Sequence, residues 1–227
     1  MTIRSVDEFL CAALRSRGDA ETMAWFDDAL AAARGGAADE LVAAYTTARR
    51  LGRERLELNA AERREVAGLQ SDLQLEHWTR EDAGRAALLL ARAIATQDAS
   101  GFADAAIECY ERGDSSEQQS WLKSTALLPG PERLLRIVID ACRTNILPLF
   151  EAVACENPYP ARYFPERNFN QMVLKALFNN VALDRIVGLN DRRNPDLTRM
   201  AADYASERRA AGRTVPSDIG LAMTETP

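Results

Sequence analysis

The chain has 227 residues, 47% of them apolar and 27% charged, which is enough for a sizeable core. A net charge of −6 argues against a nucleic-acid or anionic-membrane surface, since either needs an excess of lysine and arginine. No run of ~18 apolar residues is present to span a bilayer, and the N-terminus lacks the basic start and apolar core of a signal peptide.

Alanine and leucine are abundant while valine and isoleucine are sparse, so the composition favours helix over strand. Val6, Phe9, Leu10, Ala13 and Leu14 recur at helical spacing. Gly18-Asp19 ends that helix and caps the next, which carries Met23, Phe26, Leu30 and Ala33 and stops at Gly35-Gly36. A third begins at Asp39 with Leu41, Val42, Tyr45 and Ala48. Residues 49–64 mix arginine and glutamate at spacings that predict a solvated helix face rather than an anion site. Thr79-Arg80-Glu81-Asp82 opens a helix whose Ala87, Leu88, Ala91 and Ile94 face one way. After the Ser100-Gly101 turn, a helix follows through Phe102, Ala106, Ile107 and Tyr110.

Asp114-Ser115-Ser116-Glu117 is a capping box for a helix containing Trp121, Leu122 and Leu128. Leu128-Pro129-Gly130-Pro131 breaks the chain, and Pro131 suits the first position of a helix with Leu134, Leu135, Val138, Ile139 and Cys142. Residues 145–148 break it again before a short helix with Leu149, Phe150 and Val153. Near the end, Asn194-Pro195 caps a last helix with Leu197, Met200, Ala201, Tyr204 and Ala205. The pattern predicts an all-α fold of about ten helices, joined by short turns as antiparallel pairs. These stack either as a HEAT-like α-solenoid or as a compact multi-helix bundle. A single helical-repeat domain over residues 1–211 is expected, with residues 212–227 as a loosely held tail.

Chemistry-bearing motifs are few. Cys11, Cys109, Cys142 and Cys155 show no CxxC spacing and read as reduced thiols of a cytoplasmic protein, packed as small hydrophobes. The one histidine, His77, lies beside Trp78; a count of one excludes multi-histidine zinc sites, and packing or capping is its ordinary role. No glycine-rich nucleotide loop, nucleophile elbow or HExxH motif occurs, so no cofactor and no metal is expected.

The most unusual stretch is residues 157–189. It opens with Asn157-Pro158-Tyr159-Pro160-Ala161-Arg162-Tyr163-Phe164-Pro165, an aromatic elbow that three prolines should stiffen and keep out of helix. An apolar helix follows, with Phe169, Met172, Val173, Ala176 and Leu177 as its core stripe. Asn168, Gln171 and Lys175 line another side of it. A partly buried lysine needs a partner or a ligand. Two arrangements stay open. In one, Lys175 pairs with Asp203 or Glu207 while Asn168 and Gln171 fasten the elbow backbone. In the other, these groups floor a pocket walled by Tyr159, Tyr163 and Phe164.

The elbow, the run Asn170-Gln171-Met172-Val173-Leu174-Lys175-Ala176-Leu177-Phe178, Ile186-Val187-Gly188-Leu189, Asn194-Pro195 and Asp203-Tyr204-Ala205-Ser206-Glu207-Arg208 together resemble the signature of the EboA family of metabolite-traffic proteins. The likeness covers about the last third of the chain, with the motif-bearing portion at residues 121–211. It implies a cytoplasmic, mostly helical protein, encoded among prenyltransferase-like and TIM-barrel-like proteins whose clusters move secondary-metabolite precursors toward the periplasm. It carries over no catalytic residue. The expectation is therefore a non-catalytic accessory protein that binds a small metabolite or another protein of the pathway through Asn157, Tyr159, Tyr163, Phe164, Asn168, Gln171, Lys175, Asp203, Glu207 and Arg208. The alternative is a lysine-dependent lyase or isomerase, with Lys175 and Tyr159 or Tyr163 as base and acid.

Overall fold

Where alanine- and leucine-rich stretches are punctuated by Gly, Asp and Pro, helices form and stop. The computed structural model describes residues 2–35, 37–96 and 98–224, and every named element among them is helical. An isolated antiparallel bridge between Arg55 and Thr79 is the one extended pairing among the described residues, so the all-α expectation holds. The chain divides into two compact units, Met1–Arg136 and Ile137–Pro227.

The first unit contains α1 (Ile3–Arg15), α2 (Ala20–Gly35), α3 (Ala38–Thr47), α4 (Ala60–Leu69), α5 (Arg80–Ala95), α6 (Ala99–Glu111) and α7 (Ser115–Ser124), and α8 (Pro131–Ala141) starts in it. Gly35 is the last residue of α2, and its partner in the expected break, Gly36, lies outside the described residues. The Asp114 capping box forms as expected, with the carboxylate accepting from Ser116 and Glu117 N–H groups and Glu117 reaching back. Such a cap contributes about 1 kcal/mol. Residues 49–64 differ from expectation. Ala48–Leu51 is a 3-10 turn, residues 52–59 are irregular, and α4 begins only after Asn59, which caps it with a box closed by Glu62. His77 is exposed while Trp78 beside it is buried.

At the centre of this unit is α5, which packs against α1, α2, α3 and α7. In place of one apolar face, it is buried without a break from Glu81 to Ala91. Its alanines and Gly84 make this possible, because small side chains let several helices approach one rod. A Cβ on Gly84 would collide with Leu51 Cδ1.

The burial carries charge with it. Arg85, 1% exposed, donates from Nε to the Tyr45 carbonyl at 3.2 Å and from Nη1 to Ser120 Oγ at 3.0 Å, and pairs with Glu81 at 3.2 Å. Asp82 accepts from Ser120 Oγ at 2.6 Å and from Lys123 Nζ at 2.7 Å. Burial alone would raise the Asp82 carboxyl, but Lys123, Ser120 and the Thr79 N–H hold it below its ordinary value.

The second unit contains α9 (Leu147–Ala154), α10 (Tyr159–Tyr163), α11 (Glu166–Phe178), α12 (Leu189–Arg192) and α13 (Pro195–Ala210), the last capped by Asn194 as expected. α11 packs against α9 and α13, burying Phe169, Met172, Val173, Ala176 and Leu177. The segment read as a loose tail is tied down as far as Thr224. Asp218 accepts from the Leu183 N–H at 2.7 Å, the Met223 carbonyl from Arg193 at 3.1 Å, and Thr198 Oγ1 from the Thr224 N–H at 2.9 Å. Its polar composition hid one apolar anchor, Ala222, which is fully buried in a short 3-10 turn. Residues 225–227 lie outside the described residues.

Candidate functional site

The elbow is built locally and then clamped from a distance. Asn157, almost fully buried, donates its amide to the Ala152 carbonyl at 3.1 Å and accepts the Tyr159 N–H at 2.9 Å. This short side chain starts a turn by bonding the backbone two residues on. Contrary to the expectation that the prolines exclude helix, residues 159–163 form the single turn α10 with Pro160 in its first positions. There a missing N–H costs nothing, because first-turn donors have no intrahelical acceptor. Tyr159 is fully buried, its ring 4.9 Å from Tyr163 and edge-on to Phe164 at 6.3 Å. Of the three expected pocket walls, Tyr159 is packed interior, Phe164 is buried on the elbow's inner side, and only Tyr163 reaches solvent, at 38% exposure.

Arg192, and not Asn168 or Gln171, fastens the elbow. Its guanidinium donates to the Ala161 carbonyl and, at 2.8 Å, to the Phe164 carbonyl, while stacking 4.6 Å from the Phe169 ring centroid. The planar fork reaches two carbonyls and a ring at once, which an amide cannot do. Gly188 allows the close approach: its φ is +73°, and a Cβ there would stand 2.7 Å from Ala161 Cβ. Asn170, buried on α11, exchanges amide hydrogen bonds with Asn194 at 3.1 and 3.0 Å.

Lys175 also differs from expectation. Its ammonium donates to the carbonyls of Cys142 at 2.7 Å and Thr144 at 2.5 Å, and lies 5.2 Å from the Phe150 ring centroid. Asp203 pairs instead with Arg199 on its own helix at 3.4 Å, and Glu207 is exposed. Arg208 donates to the Thr214 carbonyl at 2.8 Å and covers Tyr204. Lys175 thus supplies positive charge to the turn just past the C-terminus of α8, at the negative end of that helix. Burial pushes its ammonium below the ordinary lysine value.

Asn168, Gln171 and Lys175, all on α11, line a hollow of about 100 Å³ with Phe164 on one side and Ile139, Cys142 and Arg143 on the other. The amides of Asn168 and Gln171 bond no protein group among the described residues. Cys142 contributes a neutral thiol, since burial raises it to about 12. Of the expected site residues, the structure brings together Phe164, Asn168, Gln171 and Lys175. It places Asn157 and Tyr159 within the packing, Tyr163 at the surface, and Asp203, Glu207 and Arg208 outside the hollow. Arg143 was not foreseen; its position just past the end of α8, where basic residues meet free carbonyls, was the available signal.

Among the described residues no group of three or more His, Cys, Asp or Glu is arranged to hold a metal ion, and no helix is long and apolar enough to cross a membrane. These features define an all-helical protein with a small, mixed polar and apolar hollow on the central helix of its second unit. The family described as metabolite traffic protein EboA matches residues 6–224, nearly the whole chain. The chain belongs to that family, and the likeness in the last third extends across the N-terminal helices. No curated protein and no solved structure matches it.

Proposed function

We propose that this chain is a non-catalytic accessory protein in the traffic of a secondary-metabolite precursor, acting in the cytoplasm, and that it holds the precursor at the α11 hollow. The observation that carries this reading is a hollow lined by a partly desolvated lysine, the half-buried Asn168 amide without a protein partner among the described residues, and the exposed Gln171. Polar groups converging on an apolar wall are the usual design of a small-molecule site. Native mass spectrometry of the chain purified from its own host tests it. The wild type is expected to retain a small molecule that the N168A/Q171A protein loses. Identical spectra for the two proteins would overturn the assignment.

A partner protein of the same pathway is favoured by a separate observation. Among the described residues, the large apolar side chains left exposed, Ile146, Leu147, Tyr163, Phe178 and Leu221, all belong to the second unit. Pull-down partners lost on Phe178→Ser, with metabolite retention unchanged, would assign that surface to a protein and the hollow to a ligand.

The enzymatic alternative draws on the depressed Lys175 ammonium, a condition that favours a neutral amine. Two carbonyl acceptors hold that group as a donor, however, and of its two proposed acids Tyr159 is sealed within the elbow while Tyr163 does not line the hollow. Borohydride trapping of an adduct on Lys175 would reverse this preference.

A further inference from the structure

Resting on the reading that the hollow on α11 holds a metabolite, we infer that it receives the anionic end of that molecule, a carboxylate or phosphate group, with Lys175 and Arg143 as counter-charges. The residues that line it include two cations and no acid. An ammonium has three donors, and Lys175 uses two on the Cys142 and Thr144 carbonyls. Arg143 has five donors and spends one on Asp140, at 2.9 Å, in a pair whose side chains are 69% and 53% exposed. Exposed pairs of this kind contribute little, so the guanidinium can be redirected without structural cost.

The remaining groups agree with this sign. Asn168 and Gln171 each offer an amide NH₂ to an oxyanion, and the Cys142 thiol stays neutral and adds no repulsion. A cation would face two like charges, and a neutral group would gain from neither of them. The desolvation that depresses the Lys175 ammonium is offset when an opposite charge arrives. Size limits what enters. A hollow of about 100 Å³ has room for a headgroup of about three waters' volume. The same hollow is lined by Ile139, Phe164 and Met172, so the part of the ligand next to the headgroup meets apolar surface.

Four probes that share one tail and differ in head test this on the full-length chain: hexanoate, hexyl phosphate, hexylamine and hexanol, followed by amide and lysine-ammonium NMR shifts. Hexanoate or hexyl phosphate is expected to bind about tenfold tighter than hexanol, as one charge-assisted hydrogen bond supplies. Whichever binds tighter distinguishes carboxylate from phosphate. Binding should raise the Lys175 pKa and weaken about tenfold in Lys175→Gln. It should weaken about threefold in Arg143→Gln, which removes the more solvent-screened of the two counter-charges. Asp140→Asn should not weaken it. Hexanol or hexylamine binding as tightly, or hexanoate affinity unchanged in Arg143→Gln, would overturn the anionic assignment while leaving a ligand site. Failure of all four probes to shift α11 resonances would overturn the site itself.

Discussion

The central helices of the two units solve the same problem differently. On α5, Glu81, Asp82 and Arg85 are each nearly fully buried, and each faces an opposite charge or a hydrogen-bonding side chain of the protein. On α11, Asn170 finds Asn194, but Asn168 and Gln171 find nothing, and Lys175 settles for backbone carbonyls. Buried charges that answer one another are a structural device, whereas the half-buried Asn168 and exposed Gln171 beside a hollow are available to something else. The difference separates charge that holds the fold from polarity held in reserve.

The sharpest way to break this comparison is Arg85→Met, which strands Glu81 without its buried partner. It is expected to destabilise the first unit by about 3–5 kcal/mol. A urea titration would show this as a large loss of midpoint, partly recovered by the joint E81M/R85M replacement. Arg192→Ala should cost less, about 2 kcal/mol, through loss of charged hydrogen bonds to the elbow. Hydrogen exchange should then accelerate across residues 157–165, and Arg192→Lys should fail to restore protection because an ammonium cannot fork.

Acid supplies a third test. The folded Asp82 value lies below its unfolded one, so its contribution is complete above about pH 3.9 and is lost as pH falls through the folded value. Melting temperatures compared at pH 6 and pH 3 should therefore fall more for the wild type than for Asp82→Asn. The smallest effects belong to α11 and α13. N168A/Q171A and Asp203→Ala should each change stability by less than about 0.5 kcal/mol, as surface positions without partners or with weak ones do. A larger cost for the amide pair would place those side chains in the fold and remove the contrast.

Much of this architecture was legible in advance, for a physical reason. Caps and core stripes are written in residues three or four apart, so Asp114 with Glu117, Asn194 before Pro195, and the Phe169 to Leu177 stripe could be read directly. What was misread depends on partners far along the chain. Lys175 lies more than 30 residues from the carbonyls it caps, and Arg192 lies about as far from those of Ala161 and Phe164. A carbonyl is present at every residue and leaves no mark in a sequence. The choice of acceptor is therefore made only by tertiary approach. Carboxylates, being conspicuous, drew Lys175 toward Asp203 and Glu207. The full burial of α5 was missed for a related reason: an alanine-rich helix reads as amphipathic until its neighbours are known.

The sulfur atoms carry a practical consequence. Cys11, Cys109, Cys142 and Cys155 are buried, and burial raises each thiol to about 12. Reagents attack the thiolate, so alkylation at neutral pH must wait for the chain to open. Two of the four lie in each unit, which makes them a ready-made pair of clocks. Maleimide pulses read by peptide mass would time the opening of each half separately, with no engineered label.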